Sequence, residues 1–314
     1  MKPIKTAIII PCYNEAISIA KVIDDFKYEL PEADIYVYDN NSTDNTIETA
    51  QQHGAIIKKE YRQGKGNVVR SMFREIEADI YIMTDGDDTY PASSVHKLIE
   101  PVINGQTDMA VGDRHSSGAY KNENTRALHN FGNHLVTKSI NLLFNANLHD
   151  IMSGYRVFNR KFVKNMAINS NGFEIETEMT LHCLDKKFTL SEIPIDYQER
   201  PEGSYSKLNT FSDGAKILKT IFWIFKDYKP LAFFSMLSFI FFSLGLLTGI
   251  PVIIEFIQTG YVTKIPSAIL AIGLILISVL SLFSGFILDT IVKLHRERYE
   301  LNLISYITNS VTRI

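Results

Sequence analysis

The chain has 314 residues, enough for one sizeable globular domain and a further element. A formal net charge of −3 offers no basic field for a nucleic-acid backbone, which excludes that class of partner. The only cysteines, Cys12 and Cys183, lie far apart without CxxC spacing, which argues against a disulfide framework or a structural zinc site and fits a reducing compartment.

From residue 4 to residue 200, β-branched and aromatic runs alternate with amphipathic stretches. That alternation predicts an α/β domain with a largely parallel sheet. The opening MKPIKTAIIIPCYNE has too short an apolar run for a signal peptide and reads as a first strand. Strands are expected at Ile4–Ile10, Ile35–Tyr38, Ala55–Lys58, Ile80–Thr84, Met109–Val111 and Thr189–Ile195. Between them, helices are expected at Ala16–Leu30, Asp44–His53 and Gly66–Glu77.

Hydrophobic residues make up 46% of the chain, an ordinary share, but they concentrate after Pro230. The stretches 231–254 and 265–288 carry almost no charge and are long enough to cross a hydrocarbon core as a helical hairpin. The link between them has one cation, Lys264, whereas the flanks hold Lys216, Lys219, Lys226 and Lys229 before and Lys293, Arg296 and Arg298 after. This asymmetry predicts that both ends of the hairpin, and the large domain, are cytoplasmic. Just ahead, Asp213–Tyr228 mixes Ile217, Ile221, Phe222, Trp223 and Phe225 with lysines, the composition of a helix lying in the headgroup layer of membrane lipid. The expected organisation is a domain over 1–210, an interfacial helix over 211–229, a hairpin over 230–292 and a tail over 293–314.

The sharpest local signal is Asp85-Gly86-Asp87-Asp88-Thr89, directly after an apolar strand. Two carboxylates one residue apart at a strand end can direct oxygen ligands at one hard cation, Mg²⁺ or Mn²⁺. A second carboxylate, Asp39, ends the second strand in Asp39-Asn40-Asn41-Ser42-Thr43-Asp44, at the sheet edge where open α/β folds bind ligands. Its expected role is hydrogen bonding to a base or ribose, against plain helix capping by Asn41 or Ser42. Gly64-Lys65-Gly66-Asn67 opens a helix and favours an anion, although neither P-loop nor GxGxxG spacing is present. Arg114, Arg126, Arg156, Arg200 and Lys207 stand in loops rich in small residues and read as a phosphate-binding rim. Glu174, Glu176 and Glu178 are spaced so that Glu174 and Glu178 share a helical face while Glu176 points elsewhere, either toward a sugar or as a solvated helix start.

Together these motifs resemble the GT-A inverting glycosyltransferases, in particular the polyprenyl-phosphate glycosyltransferases related to dolichol-phosphate mannose synthase. Ile8-Ile9-Ile10-Pro11-Cys12-Tyr13-Asn14-Glu15 is similar to that family's opening strand and nucleotide loop, and 39–44, 64–66 and 85–87 to its next three motifs. Gly112-Asp113-Arg114, Ser153-Gly154-Tyr155-Arg156 and the run Arg200 to Lys207 are similar to its acceptor-side motifs. The resemblance implies a Rossmann-like GT-A catalytic domain followed by two transmembrane helices. It implies that Pro11, Tyr13, Glu15 and Asp39 hold the nucleoside, that Asp85 and Asp87 serve metal and diphosphate with Lys65 nearby, and that Arg114, Arg126 and Arg200 meet phosphates. The acidic motif reads DGDD where the mannose synthases have DAD, so Thr89 is only a candidate third ligand. Asp150 is expected to orient an arginine. The implied reaction moves one hexose or N-acetylhexosamine from a nucleotide-sugar donor, with uridine preferred, to a polyprenyl phosphate acceptor. Members with such a hairpin are bacterial, which implies undecaprenyl phosphate and the bacterial plasma membrane. Two other readings stay open, transfer to a sugar hydroxyl of a glycolipid with Asp150 or Glu174, Glu176 or Glu178 as base, and a non-catalytic nucleotide-sugar sensor. The oligomeric state, homo-oligomer included, is not legible.

Overall fold

The structure, a computed structural model, describes residues 3–116, 127–172, 174–201, 203 and 213–311. It divides into two compact units, Met1–Gly214 and Ala215–Ile314.

The first unit is built on strand β1 (Thr6–Cys12), where Ala7, Ile8, Ile9 and Ile10 are all fully buried. A continuous apolar run of this kind marks a strand covered on both faces, as parallel sheets require. β1 pairs in parallel with β2 (Asp34–Asp39) on one side and β4 (Ile80–Met83) on the other, and β2 pairs with β3 (Ile56–Lys59). Among the described residues the sheet has seven strands in the order β3-β2-β1-β4-β6-β5-β7, completed by β5 (Met109–Asp113), β6 (Arg156–Asn159) and β7 (Leu190–Pro194). Only β6 runs against the rest, antiparallel to both β4 and β5. All six expected strands are present, each displaced by at most two residues.

The three expected helices are α1 (Ile19–Glu29), α2 (Thr46–Gln52) and α3 (Lys65–Glu75). α1 buries Ile19, Val22, Ile23 and Phe26 on one stripe, which is why its spacing was readable. Among the described residues, helices α4 (Val95–Ile103), α5 (Ala127–Phe144), α6 (Arg160–Asn165) and α7 (Ile175–Asp185) complete the unit.

Strand β6 was not expected, because its segment reads as a loop around Arg156. Asp108 explains how four residues suffice. Its carboxylate takes Asn159 Nδ2 at 2.7 Å, Lys161 Nζ at 2.7 Å, the Thr189 amide at 2.9 Å and Thr189 Oγ1 at 3.0 Å, tying the ends of β5, β6 and β7 together. Burial pushes this carboxyl up, but Lys161, the Thr189 amide and Asn159 more than offset it and hold it below its usual value.

In the second unit, α8 (Asp213–Tyr228) leaves Phe222 and Trp223 half exposed, with Lys226 Nζ 4.9 Å above the Trp223 ring. α9 (Pro230–Thr259) opens on a proline and stops at Gly260, which has φ 71°, the left-handed conformation a glycine adopts without penalty. α10 (Ile265–Val311) follows. Both helices are long and apolar enough to cross a membrane. They pack through small residues: a Cβ on Gly245 would lie 2.9 Å from Ile275 Cγ1, one on Gly249 3.2 Å from Ala271 Cβ, and Ser238 and Ser278 share a 2.9 Å hydrogen bond. Phe239, Leu247, Ile269 and Leu280 are each at least 65% exposed, which a soluble core helix would not tolerate. The expected tail after 293 is not a separate element, since α10 continues through it.

Asp108→Asn should cost about 1 to 3 kcal/mol by leaving buried donors under-satisfied. Because the folded pKa is depressed, the carboxylate's contribution is complete above the unfolded pKa of about 4 and disappears as pH falls through the lower folded value. Thermal unfolding of the detergent-solubilised protein at pH 7 and pH 3 should therefore show a variant deficit that shrinks in acid.

Candidate active site

Two loops laced together close the carboxyl edge of β1 and β2. The Asn40 amide donates to Cys12 O at 2.8 Å, Asn14 N to Ser42 Oγ at 2.9 Å, Thr43 N to Asn14 Oδ1 at 2.8 Å and Glu15 N to Thr46 Oγ1 at 2.8 Å. Asn14 and Asn41 both take left-handed conformations, φ 53° and 66°. Tyr13 is exposed, Pro11 half-buried and Glu15 buried at this edge. The Asp39 carboxylate is fully buried and accepts the Asn41 and Ser42 amides, each at 3.1 Å, so it braces its own loop. Asn40, not singled out in the sequence, clamps the next connection. Its side chain donates to Glu60 O and Arg62 O at 2.9 Å and accepts Gly64 N at 2.7 Å.

The acidic motif follows β4. Asp85 is partly exposed and its Oδ1 lies 2.5 Å from Lys65 Nζ; Asp87 is buried and its Oδ2 lies 2.5 Å from Arg200 Nη2. Thr89 donates its hydroxyl to Asp87 Oδ1 at 2.7 Å. Burial and then the adjacent Asp85 charge push the Asp87 carboxyl up, against the pull of Arg200 and Thr89. The structure thus brings Lys65, Asp85, Asp87 and Arg200 together from three segments. Two carboxylates in this position, one reaching solvent, fit a hard divalent cation.

Lys65 has a second partner, Glu176 Oε1, at 2.6 Å. Burial pulls the ammonium down, but the two carboxylates more than reverse this and keep it firmly charged. Of the three acidic positions at the start of α7, Glu176 is thus the one in the site. Glu178 instead accepts the Asn169 and Ser170 amides at 2.8 Å each. The glycines around Lys65 serve close approach: a Cβ on Gly64, which has φ 124°, would lie 2.1 Å from Asn171 O, and one on Gly66 2.4 Å from Ser170 O.

On the other side, Arg114 and Asp150 form a buried bidentate pair, Nε to Oδ2 at 2.7 Å and Nη2 to Oδ1 at 2.9 Å. Burial would raise the Asp150 carboxyl, yet Arg114 holds it below the usual range. Tyr197 lies 5.6 Å under the Arg114 guanidinium, and Tyr90 accepts the Gly154 amide at 2.9 Å. The reading of Arg156 as part of a phosphate rim is corrected here. It is fully buried, donating to Ser153 O, Ile151 O and Thr180 Oγ1, and so works inside the fold. Arg126 and Lys207 lie outside the described residues. Asp113, His149 and Glu192 also come within 4.8 Å of one another. Their carboxylates already accept the amides of His115, Ser116, His149 and Asp150, so this cluster pins the loops that carry Arg114 and Asp150.

Residues 7–166 match the model of the family described as "Glycosyl transferase family 2". Glycosyltransferase AglJ of Haloferax volcanii is 34% identical over 300 residues, covering 94% of this chain and 96% of that protein. The chain belongs to glycosyl transferase family 2. A second relative of this family 2 protein is the dolichyl-phosphate hexose transferase of the same organism, 29% identical over 68% of this chain and 91% of its own. Among solved structures, glucosyl-3-phosphoglycerate synthase from Mycobacterium tuberculosis, in complex with Mn²⁺ and UDP-glucose, superposes with a TM-score of 0.55 at 16% identity. It covers 71% of this chain and 78% of that one, and so shares the fold.

In this family 2 site Gly154 walls in the acidic motif, since a Cβ there would lie 2.6 Å from Asp85 Oδ2. Gly154→Ala must move Asp85, and misplacement of a binding group by about 1 Å can cost about 10²-fold. Sugar transfer should fall by about 10- to 100-fold, with the melting temperature, read in the same preparation, nearly unchanged.

Proposed function

We propose that this family 2 glycosyltransferase moves one hexose or N-acetylhexosamine from a nucleoside-diphosphate sugar to a polyprenyl phosphate, with inversion. The observation that carries the reading is that the carboxylates nearest the site's cations are already paired. Asp150 is locked to Arg114, Glu176 to Lys65, and Glu178 to two backbone amides. Three of the four carboxylates that could deprotonate a sugar hydroxyl are thus committed elsewhere. A phosphate monoester needs no such base, because its second pKa is about 6 and its oxygen is already anionic at neutral pH.

In the proposed reaction the lipid phosphate oxygen attacks the anomeric carbon from the face opposite the diphosphate. The bond from that carbon to the diphosphate oxygen breaks, and the nucleoside diphosphate leaves with the electron pair. Pro11, Tyr13 and Glu15 are assigned to the nucleoside side of the site, with Asp39 holding the loop that carries it. Lys65 and Arg200 stand where they can offset charge on the leaving group, and Arg114, oriented by Asp150, meets the acceptor phosphate. Arg126 and Lys207 are assigned to the same phosphates. Asp85 and Asp87 would hold Mg²⁺ or Mn²⁺, which supplies Lewis-acid charge to the diphosphate. Uridine is the preferred base and undecaprenyl phosphate the preferred carrier, in a bacterial plasma membrane with the catalytic domain cytoplasmic. The lysines and arginines flanking the hairpin support that topology.

Transfer of labelled sugar from UDP- and GDP-sugars to short polyprenyl phosphates should give an organic-soluble product that EDTA abolishes. Labelling of a glycolipid hydroxyl instead would overturn the acceptor assignment. Asp87→Ala should lower turnover by at least about 10²- to 10³-fold. For Asp150→Asn, the Michaelis constant for the lipid phosphate should rise while the pH–rate profile keeps its basic limb; loss of that limb would make Asp150 a base.

A further inference from the structure

Each carboxylate of the acidic motif meets a cation from a distant segment, Asp85 that of Lys65 and Asp87 that of Arg200. A divalent ion that binds Asp85 and Asp87 must compete with these groups. Lys65 is placed to yield, because its ammonium already touches Glu176 at 2.6 Å. We infer that Glu176 is a positioning residue that sets the affinity for the divalent ion, by holding Lys65 when Asp85 turns to the ion. The inference rests on the metal reading of Asp85 and Asp87.

Glu176 does not reach Lys65 by accident of an exposed surface, since their side chains are 6% and 9% exposed. The segment ahead of Glu176 is fastened to the helix that Lys65 opens. Gly66 N donates to Asn171 O at 3.1 Å, Arg70 donates to Ile168 O at 2.9 Å and Ser170 O at 3.1 Å, and Glu178 takes the Asn169 and Ser170 amides. Gly64 and Gly66 permit the approach, since a Cβ on either would collide with the 170–171 backbone. The result is an ammonium shared between one carboxylate that faces the site and one that faces the protein.

A buried ammonium without a carboxylate partner is costly. With Glu176 present, Lys65 can leave Asp85 and remain paired. Without it, Lys65 has every reason to stay on Asp85 and exclude the ion. The charge-assisted contact is strong enough for its loss to be read in binding.

The test is titration of full-length, detergent-solubilised protein with Mn²⁺ alone, free ion being read by electron paramagnetic resonance. Glu176→Gln should raise the dissociation constant for Mn²⁺ by about tenfold or more, the size expected for one charged hydrogen bond. Lys65→Met should leave it unchanged or lower it. In the Lys65→Met background, Glu176→Gln should then change it by less than about threefold, the non-additivity that a shared partner predicts. Glu176→Asp, which keeps the charge and withdraws the carboxylate, should weaken Mn²⁺ binding in the same direction by a smaller factor. It serves if the glutamine variant does not fold. An equal loss on Glu176→Gln with and without Lys65 would overturn the inference, since Glu176 would then act on the ion through space; so would an unchanged constant. Mn²⁺ binding that survives intact in Asp87→Ala would overturn the metal reading itself, and is distinguished by that variant alone.

Discussion

Two carboxylates at the end of a strand buried on both faces set the central constraint on this molecule. β4 lies between β1 and β6, and all four of its residues are buried, so the chain that leaves it delivers Asp87 to a buried position and Asp85 to one only partly open to water. Unpaired charge there would be expensive, and each carboxylate is met by a cation from elsewhere in the chain. Lys65 arrives through a glycine turn pressed against residues 170–171, and Arg200 from beyond β7. The residue between the carboxylates has to be small as well, since a Cβ on Gly86 would lie 2.8 Å from Cys12 Sγ. Much of the local geometry of the site follows from this charge balance.

The single reversed strand serves the same end. β6 runs against β4 and β5, and its amino end is therefore at the carboxyl edge of its neighbours. That places the segment Asp150 to Gly154 beside the acidic motif, with Asp150 on Arg114 and Gly154 against Asp85. Arg156, the first residue of the strand, folds back on Ser153 O and Ile151 O and fixes the turn from beneath. An all-parallel sheet would have put this segment at the opposite edge.

What was legible in the sequence follows from the range of the interactions involved. Ile8 to Ile10 and Ile80 to Met83 announce buried strands because burial on both faces leaves an unbroken apolar run. The stripe Ile19, Val22, Ile23 and Phe26 announces α1 in the same local way. β6 was hidden because four residues carry little pattern, and what holds them, Asp108, lies about fifty positions earlier. Arg156 was misread for the same reason, since an arginine in a small-residue loop gives no sign that three acceptors wait inside the fold. Asp85 and Asp87 were legible as a motif, whereas Glu176 was one of three similar acids until Lys65 selected it.

The second unit shows the same contrast between composition and contact. Length and apolarity made α9 and α10 obvious, and the exposed Phe239 and Leu247 are what a helix facing hydrocarbon requires. Their mutual packing could not be read from composition, because in an apolar surrounding it depends on where small residues fall, as at Gly245 and Gly249, and on one hydroxyl pair, Ser238 and Ser278. In the first unit the specific contacts are ionic instead, with Asp85, Asp87, Asp150 and Glu176 each holding a lysine or arginine in place.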